Sequence, residues 1–222
     1  MTALDRAGDV LGRLRALPTA AISDALDRVG LAGALHGLGP LSNDFRAVGP
    51  AFTVRYAPAD DERGSVGDFL DDVPQGAVIV IDNDGRTDVT VWGGIMTEVA
   101  AARRIAGTVI NGVCRDVSAS LEQSYPIFSR GRFMRTGKDR VRLVAVGEPL
   151  RVSGVTIKPG DLVCADADGA VVVPTADAIR VAELAAHIER VEAEIVAAAR
   201  AGSTLRAARE RFGYHQLQSR QS

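Results

Sequence analysis

Apolar residues at helical spacing mark both ends of the chain. They predict a helix over Leu4–Leu14 and a second helix over about Thr19–Val29, with Thr19 as its N-cap and Gly30 as its stop signal. Near the other end, a pattern rich in Ala, Glu and Arg predicts one long helix over Ala176–Ala201. We expect this C-terminal helix to lie across the surface of the protein or to dock on another subunit.

Between these helices, continuous aliphatic runs alternate with segments of helical spacing. The aliphatic runs predict four strands: Arg46–Tyr56, Ala77–Asp82, Thr108–Asn111 and Ile127–Ser129. Helical spacing predicts three shorter helices: Gly67–Asp72, Gly93–Ile105 and Arg115–Ser124. Strands of aliphatic residues are typically buried on both faces, so the alternation with helices indicates an α/β fold.

The pattern changes after Arg140, where several short strands are separated by turn signals. The turn segment Asp166–Gly169 lies between the runs Leu162–Cys164 and Ala170–Val173, which is typical of a β-hairpin. No internal repeat or low-complexity linker interrupts the chain. A single domain over residues 1–222 is therefore the simpler interpretation, with a core at about 15–195 and a polar tail after residue 211 that we expect to fray.

The composition refines this picture chiefly by what it excludes. The net charge of -2, with acidic and basic residues interspersed, argues against direct binding of nucleic acid. No apolar run is long enough to span a bilayer, and the first residues form an amphipathic pattern rather than a signal peptide. Cys114 and Cys164 are predicted to be buried reduced thiols, although their spacing alone leaves a disulfide open. We expect a soluble cytoplasmic protein with no membrane partner.

The first candidate for binding chemistry is the segment Trp92–Met96, at the start of a predicted helix. Its two glycines place no side chain over the backbone N–H groups at the positive end of the helix dipole. Such a turn is suited to binding an anion. A tight turn without a ligand is the more common explanation for two glycines before a helix.

The second candidate is the pair Arg115-Asp116, which follows a predicted buried strand through Gly112–Cys114. Ligands of α/β folds gather at the carboxyl ends of strands. Arg115 can clamp a carboxylate with two parallel hydrogen bonds, and Asp116 is a hard oxygen ligand suited to Mg²⁺ or Mn²⁺. From the residues alone, an alternative is equally well supported, in which Asp116 caps the following helix and Arg115 makes a surface ion pair.

The two candidates belong to one longer pattern, because twenty residues separate Gly94 from Arg115-Asp116. The stretch from Trp92 to Asp116 resembles the signature of a family with two branches. One branch is the class II 4-hydroxy-4-methyl-2-oxoglutarate/4-carboxy-4-hydroxy-2-oxoadipate aldolases, and the other is the proteins named regulator of ribonuclease activity A. The resemblance covers roughly residues 15–195 and includes further motifs: Ser23–Leu26, Val48–Val54, Gly67-Asp68, Gly154–Val163 and Ala165–Gly169.

The resemblance implies a role for each candidate residue. Backbone N–H groups would bind a pyruvate-like moiety at four positions: Gly93, Gly94, Ile95 and Met96. Arg115 would bind the same moiety and offset the charge of an enolate, while Asp116 would hold the divalent metal, Mg²⁺ or Mn²⁺. The implied activity is a metal-dependent lyase that cleaves a 4-hydroxy-2-oxo dicarboxylic acid to pyruvate through a metal-stabilised enolate. Oxaloacetate decarboxylation would use the same chemistry.

The chain departs from the family pattern at Ala119. The pattern continues after Arg-Asp with two residues and then Glu or Asp, whereas this chain has Ala119 at that position, with Glu122 three residues further on. A missing acidic residue removes a partner that would orient the metal or its waters. The departure leaves open a second function, a non-catalytic regulator that binds a ribonuclease E-type partner.

The resemblance also implies a fold and an assembly. The implied fold is a compact β/β/α layered domain, similar to the swivelling phosphohistidine domains, with a long C-terminal helix. The implied assembly is a homotrimer, with a hexamer as the alternative, and its sites lie near subunit boundaries.

Overall fold

The computed structural model describes residues 10–59, 64 and 66–217. Packing divides the chain into two compact units: Ala34–Thr175 forms the larger, and the described residues before and after it form the smaller. The larger unit contains all the strands of the described residues and every candidate site residue. The prediction of one domain over residues 1–222 stays a prediction.

The strands of the larger unit are numbered in chain order. They are β1 (Gly39–Pro40), β2 (Ala47–Pro58), β3 (Val78–Asp82), β4 (Gly107–Cys114), β5 (Ile127–Arg132), β6 (Val141–Val146), β7 (Leu150–Val152), β8 (Val155–Ile157), β9 (Leu162–Asp166) and β10 (Gly169–Val173). Among the described residues, the order in the main sheet is β1-β5-β4-β3-β2-β9-β10, with β6 also paired to β2, and β7 and β8 form a separate hairpin.

The centre of the main sheet is parallel and its flanks are antiparallel. The neighbouring pairs from β2 through β3 and β4 to β5 are parallel, whereas β1, β6, β9 and β10 pair with antiparallel neighbours. The long strand β2 serves several partners: Ala47–Pro50 pairs with β9, and Ala51–Arg55 pairs with β3. Because these strands are parallel, the carboxyl ends of β3, β4 and β5 lie at one edge of the sheet. The candidate pair Arg115-Asp116 follows the end of β4 at this edge.

Both faces of the central strands are buried, in two separate clusters. Along β3, Ile79 and Ile81 enter one cluster and Val78 and Val80 enter the other, because side chains alternate across a strand. The first cluster is covered by helical segments that include Ala100, and the second by the β7–β8 hairpin. This burial explains the continuous aliphatic runs, and it produces the β/β/α layers that the resemblance implied.

The helices of the larger unit are shorter than predicted. They are the 3₁₀ segment Asp68–Asp72 and the α-helices Gly94–Ala102 and Val117–Glu122. The strand predicted over Thr108–Asn111 extends to Cys114 as β4, so the pair Arg115-Asp116 follows directly on a strand end. The β-hairpin over Leu162–Val173 is confirmed, with the Asp168 N–H donating to Asp166 Oδ1 at 3.1 Å in its turn.

The smaller unit is helical. Its helices in the described residues are residues 10–15, then α1 (Thr19–Arg28), and after the larger unit Ala178–Arg200, Leu205–Arg211 and Tyr214–Leu217. We number the five helices Gly94–Ala102 to Tyr214–Leu217 as α2 to α6 in chain order. The helix predicted over Leu4–Leu14 falls partly outside the described residues. No helix in the described ranges combines the length and the apolar character needed to cross a bilayer.

Two details of the smaller unit differ from the sequence prediction. The N-cap of α1 is Pro18 rather than Thr19, which is the first helical residue, whereas Gly30 lies just beyond the helix with a φ of 77°. The tail predicted to fray after Arg211 is helical at Tyr214–Leu217, where the Leu217 carbonyl accepts a hydrogen bond from Arg28 Nη1 at 3.1 Å.

The long helix α4 buries a stripe of small and aliphatic side chains and packs on α1. Its docking on another subunit stays a prediction.

The two cysteines are buried free thiols, as predicted. Burial raises the pKa of Cys164 from its ordinary 9.0 to about 12, and it also raises the pKa of Cys114. Both side chains therefore remain protonated at neutral pH and contribute to the core as small apolar groups.

Candidate functional site

A cavity of about 430 Å³ lies where β4 ends and α2 begins. Its walls contain all six residues singled out in the sequence: Gly93, Gly94, Ile95, Met96, Arg115 and Asp116. Further walls come from Gly64, Val66, Thr90, Trp92, Thr136, Gly137 and Lys138. Gly94 and Arg115, which have twenty residues between them in the sequence, therefore line one cavity in the larger unit.

Asp116 does not use its side chain to cap the helix that it precedes. Its backbone has φ 56° and ψ 47°, a left-handed conformation that Asp tolerates better than most residues, and α3 follows immediately. Its carboxylate makes no capping hydrogen bond to α3, whereas Oδ2 accepts a hydrogen bond from the Gly94 N–H at 2.8 Å. The helix cap of the alternative interpretation is therefore wrong, and the carboxylate lines the cavity.

Arg115 lies beside this carboxylate. Its Nε is 3.5 Å from Asp116 Oδ2, and the two side chains keep 39% and 49% of their surface exposed. An ion pair with this exposure contributes less than about 1 kcal/mol to stability. Both charged groups thus remain accessible to a ligand from the cavity.

The two glycines of the turn leave room for these charged groups. A Cβ at Gly93 would lie 3.0 Å from Asp116 Oδ2 and 3.2 Å from Arg115 Nε. A Cβ at Gly94 would make ordinary contacts, the nearest at 3.4 Å from the Asp116 side chain. Since the φ of Gly93 is -151°, an extended value open to any residue, the close approach of the side chains is what favours glycine there.

The backbone donors of the turn are used differently from the sequence expectation. All four N–H groups from Gly93 to Met96 were expected to face a ligand, but the Gly94 N–H donates to Asp116. Ile95 and Met96 follow in the first turn of α2, where N–H groups have no acceptor within the helix. The Ile95 side chain is 84% exposed and that of Met96 is buried.

A buried hydrogen-bond frame centred on Trp92 holds the two halves of the site together. Trp92 Nε1 donates to Thr97 Oγ1 at 2.9 Å, and this hydroxyl donates to the Gly93 carbonyl at 3.2 Å. The Trp92 carbonyl accepts from the Arg115 N–H at 3.0 Å and from Thr90 Oγ1 at 2.8 Å. Both the glycine turn and the Arg115 backbone are therefore fixed to one buried residue.

The structure adds Lys138 to the site, a residue that the sequence analysis missed. Thr90 forms a parallel β-bridge with Thr136, and a Cβ at Gly137 would lie 2.4 Å from the Thr90 carbonyl oxygen. This contact brings the loop that carries Lys138 to the cavity wall. The one sequence signal was a glycine beside a basic residue after a strand, which is too common to point to a site.

Comparison with known proteins identifies the family of this chain. The model of the RraA-like family, described as Aldolase/RraA, matches residues 19–172. This chain belongs to the RraA-like family. The family resemblance and the mixed α/β fold expected from it are thereby confirmed.

Three relatives illustrate the range of the RraA-like family. The chain is 39% identical over 216 residues to protein DlpA of Legionella pneumophila, covering 96% of this chain but 35% of DlpA, so it spans about a third of that relative. It is 37% identical over 166 residues to a protein of Halalkalibacterium halodurans provisionally named 4-hydroxy-4-methyl-2-oxoglutarate aldolase, covering 75% and 77% of the two chains. The crystal structure of an uncharacterized Pseudomonas syringae protein superposes with a TM-score of 0.86 at 46% identity, covering 91% and 97%.

The donor set of this RraA-like chain suits a metal held mainly by water. The described residues contain no cluster of three or more His, Cys, Asp or Glu side chains that could hold a metal ion. Among the described residues of the cavity wall, Asp116 carries the carboxylate, and it is half exposed. Mg²⁺ usually keeps several waters and binds through one or two carboxylates, so a single Asp116 ligand fits that ion.

Ala119 lies close to the turn, whereas Glu122 does not line the cavity. The Ala119 methyl group would be 3.7 Å from a Cβ placed at Gly94. Glu122 is exposed at the last residue of α3 and is not among the described residues of the cavity wall. The position where the RraA-like pattern has an acid is therefore next to the site but carries no charge in this chain.

The acidic residues that end β3 serve a turn. The Asp84 N–H donates to Asp82 Oδ1 at 3.0 Å, and the same oxygen accepts from Asn111 Nδ2 at 2.7 Å. Neither Asp82 nor Asp84 is among the described residues that line the 430 Å³ cavity. Both residues therefore belong to the turn that follows β3.

Proposed function

We propose that this protein is a divalent-metal-dependent lyase. Its substrate would be a 4-hydroxy-2-oxo dicarboxylic acid of the 4-hydroxy-4-methyl-2-oxoglutarate type, cleaved to pyruvate and a second oxo acid. Membership of the RraA-like family and identity to a provisionally named aldolase support this class of reaction. Oxaloacetate decarboxylation, which leaves the same pyruvate enolate, would be a second activity.

The observation that carries the proposal is the direction of the Asp116 side chain. A helix-capping carboxylate would leave Arg115 alone in the cavity, which would then be a simple anion site. Instead the carboxylate and the guanidinium face the same space, with Oδ2 and Nε 3.5 Å apart. A hard oxygen donor beside a guanidinium suits a substrate that carries a 2-oxo group next to a carboxylate.

Each residue of the site has a defined part in the proposed cleavage. The N–H groups of Ile95 and Met96 and the guanidinium of Arg115 would bind the carboxylate of the pyruvate half. A divalent cation held by Asp116 would supply Lewis-acid polarisation of the 2-oxo group. When the C3–C4 bond breaks, its electron pair moves toward the C2 oxygen, and Arg115 offsets the charge that develops there.

The proposed cleavage releases one proton to solvent water and later takes one up from it. The 4-hydroxyl group loses its proton as C4 becomes a carbonyl carbon, and C3 of the enolate later takes up one proton to give pyruvate.

Lys138, which is exposed on the cavity wall, would bind the second carboxylate of a dicarboxylic substrate. Its ammonium group thus favours dicarboxylic over monocarboxylic 4-hydroxy-2-oxo acids.

Pyruvate release from purified protein tests the proposal directly. The assay would use 4-hydroxy-4-methyl-2-oxoglutarate and oxaloacetate in separate arms, each with Mg²⁺, with Mn²⁺ and with chelator. We expect metal-dependent release, and we expect Arg115→Gln to lower turnover on the order of a hundredfold, since Arg115 acts where charge develops. Arg151→Gln, an exposed arginine on β7, is the matched control. Absence of pyruvate from both substrates, with bound Mn²⁺ demonstrated by its magnetic resonance signal, would exclude the lyase.

Ala119 supports a second candidate function, a non-catalytic regulator of a ribonuclease E-type enzyme. With no acid at this position, the site lacks a partner for the metal or its waters. Pull-down and inhibition assays with a purified ribonuclease E-type protein test this function. If neither binding nor inhibition occurs, the regulator function is excluded. The variant Ala119→Glu distinguishes the lyase from the regulator, because restoring the acid should raise lyase activity only if the protein is an enzyme.

We further propose that the protein acts in the cytoplasm as a homotrimer, or as a hexamer of two such rings. The family resemblance supports this assembly, and the exposed apolar side chains of Ile95 and Val99 beside the site are compatible with it. Light scattering on the purified protein distinguishes a monomer from three or six chains per particle.

A further inference from the structure

A second cavity lies between β1 and β5 in the larger unit. It has a volume of about 270 Å³ and is lined by Gly37, by β1 with Leu41, and by Ser129–Arg132. None of these residues lines the 430 Å³ cavity that contains Arg115 and Asp116. The second cavity is therefore a separate feature of this chain.

The guanidinium of Arg130 is held in place at this cavity by neutral partners. Its Nε donates to Asn111 Oδ1 at 2.6 Å, and its Nη2 donates to Ser153 Oγ at 3.3 Å. Asn111 is itself buried, and its Nδ2 donates to Asp82 Oδ1 at 2.7 Å. The Asp82 carboxylate therefore orients the amide group that holds Arg130. Arg130 is thus fixed in direction while its charge is not cancelled by contact with an acid.

One edge of the Arg130 guanidinium is used by the protein and the other faces the cavity wall. The bonds to Asn111 and Ser153 occupy the edge formed by Nε and Nη2. Among the described residues, no protein acceptor lies within hydrogen-bond distance of Nη1. Gly37 keeps this side open, because a Cβ there would lie 2.9 Å from Nη1.

Arg132 adds a second positive charge to the same cavity. It lies two positions after Arg130 on β5, a spacing that directs two side chains to the same face of a strand. Within the described part of the chain, neither arginine forms an ion pair, and no acidic residue lines the cavity. Two guanidinium groups without a counterion give the cavity a local charge suited to a dianion.

We propose that this second cavity binds a small dianion, either inorganic phosphate or a short dicarboxylate. The free edge of Arg130 would form two parallel hydrogen bonds with two oxygens of the ligand, a geometry that arginine makes with both phosphate and carboxylate. Arg132 would bind the remaining charge. The volume of about 270 Å³ lies just below the usual range for pockets of drug-sized ligands, so an anion of a few heavy atoms fits better than a nucleotide.

Calorimetric titration of the full chain tests this site. The parent protein would carry Arg115→Ala, so that the other arginine-lined cavity does not contribute, and it would be titrated at low salt with sodium phosphate and, separately, with sodium malonate. We expect saturable binding of at least one probe at one site per chain. Arg130→Gln should weaken it by roughly tenfold or more, and Arg132→Gln should weaken it less, since only Arg130 is fixed for two parallel bonds.

Arg180→Gln is the charge-matched control, since Arg180 is exposed on α4 in the smaller unit. Binding of phosphate alone or of malonate alone identifies which dianion the site prefers, and either result supports the proposal. If Arg130→Gln does not fold, Ser153→Ala, which removes the bond to Nη2, should weaken binding in its place. The proposal is overturned if the parent shows no saturable binding, or if Arg130→Gln and Arg132→Gln bind the probes as tightly as Arg180→Gln does. These outcomes are independent of lyase activity.

Discussion

The Asp116 carboxylate accepts a hydrogen bond at 2.8 Å from the backbone N–H of Gly94, which lies 22 positions earlier in the chain. This bond joins the segment after β4 to the start of α2 in the wall of the candidate site. It keeps the carboxylate beside Arg115, and the carboxylate makes no capping bond to α3 although Asp116 occupies the N-cap position of that helix.

Asp116→Asn should abolish most pyruvate release while leaving the fold intact. The amide oxygen can still accept from the Gly94 N–H, but a neutral amide is a far weaker ligand for Mg²⁺ than a carboxylate. We expect turnover to fall on the order of a hundredfold with little change in melting temperature, because the side chain is half exposed. Steady-state kinetics and a thermal melt on the same preparation measure the two quantities. Wild-type turnover in Asp116→Asn would refute the assigned role.

Gly93→Ala should impair the site more than Gly94→Ala does. The added methyl group at Gly93 would lie 3.0 Å from Asp116 Oδ2 and 3.2 Å from Arg115 Nε, so both charged groups must move. At Gly94 the nearest contact of the methyl group is 3.4 Å, which is ordinary van der Waals distance. We expect kcat/KM to fall roughly tenfold or more for Gly93→Ala, since small displacements of positioned groups cost rate. Equal kinetics in the two variants would contradict this explanation.

Thr97→Val should destabilise the protein because it removes a hydroxyl that both accepts and donates. The variant leaves the buried Trp92 indole N–H without its acceptor at 2.9 Å and removes the donor to the Gly93 carbonyl. An unsatisfied buried polar group costs about 1–3 kcal/mol, which urea denaturation can measure as a lower free energy of unfolding. Thr97→Ser keeps the hydroxyl and serves as the control. A stability of Thr97→Val equal to that of Thr97→Ser would show that the bond contributes nothing.

The free energy of unfolding should decrease as the pH rises above about 9. Burial raises the pKa of Cys164 from 9.0 to about 12, so the folded state holds this proton more tightly than the unfolded state does. The stabilisation is complete below the unfolded pKa of 9.0 and is lost as the pH approaches 12. Urea denaturation at several alkaline pH values measures the slope. Cys164→Ala should have a shallower slope than the wild type, and identical slopes would argue against a buried thiol at this position.

Much of the fold follows from local pattern. The aliphatic runs that became β3, β4 and β5 are recognisable because strands buried on both faces exclude polar residues over their whole length. The hairpin of β9 and β10 is recognisable because Asp and Gly form its turn. The element boundaries follow less directly from the pattern. The helix predicted from Arg115 begins at Val117, because the left-handed backbone of Asp116 separates the helix from the strand that ends at Cys114.

The sequence by itself determined which residues meet in the candidate site. The spacing of Gly94 and Arg115-Asp116, within a motif order typical of the RraA-like family, identified six of the residues that line one cavity. Only the tertiary structure decided where their side chains point and what joins them. The direction of the Asp116 carboxylate depends on an N–H group 22 positions away, and Lys138 reaches the cavity through a β-bridge between Thr90 and Thr136. Periodicity reports which residues are buried along one segment, whereas contacts between distant segments depend on how the strands are ordered in the sheet.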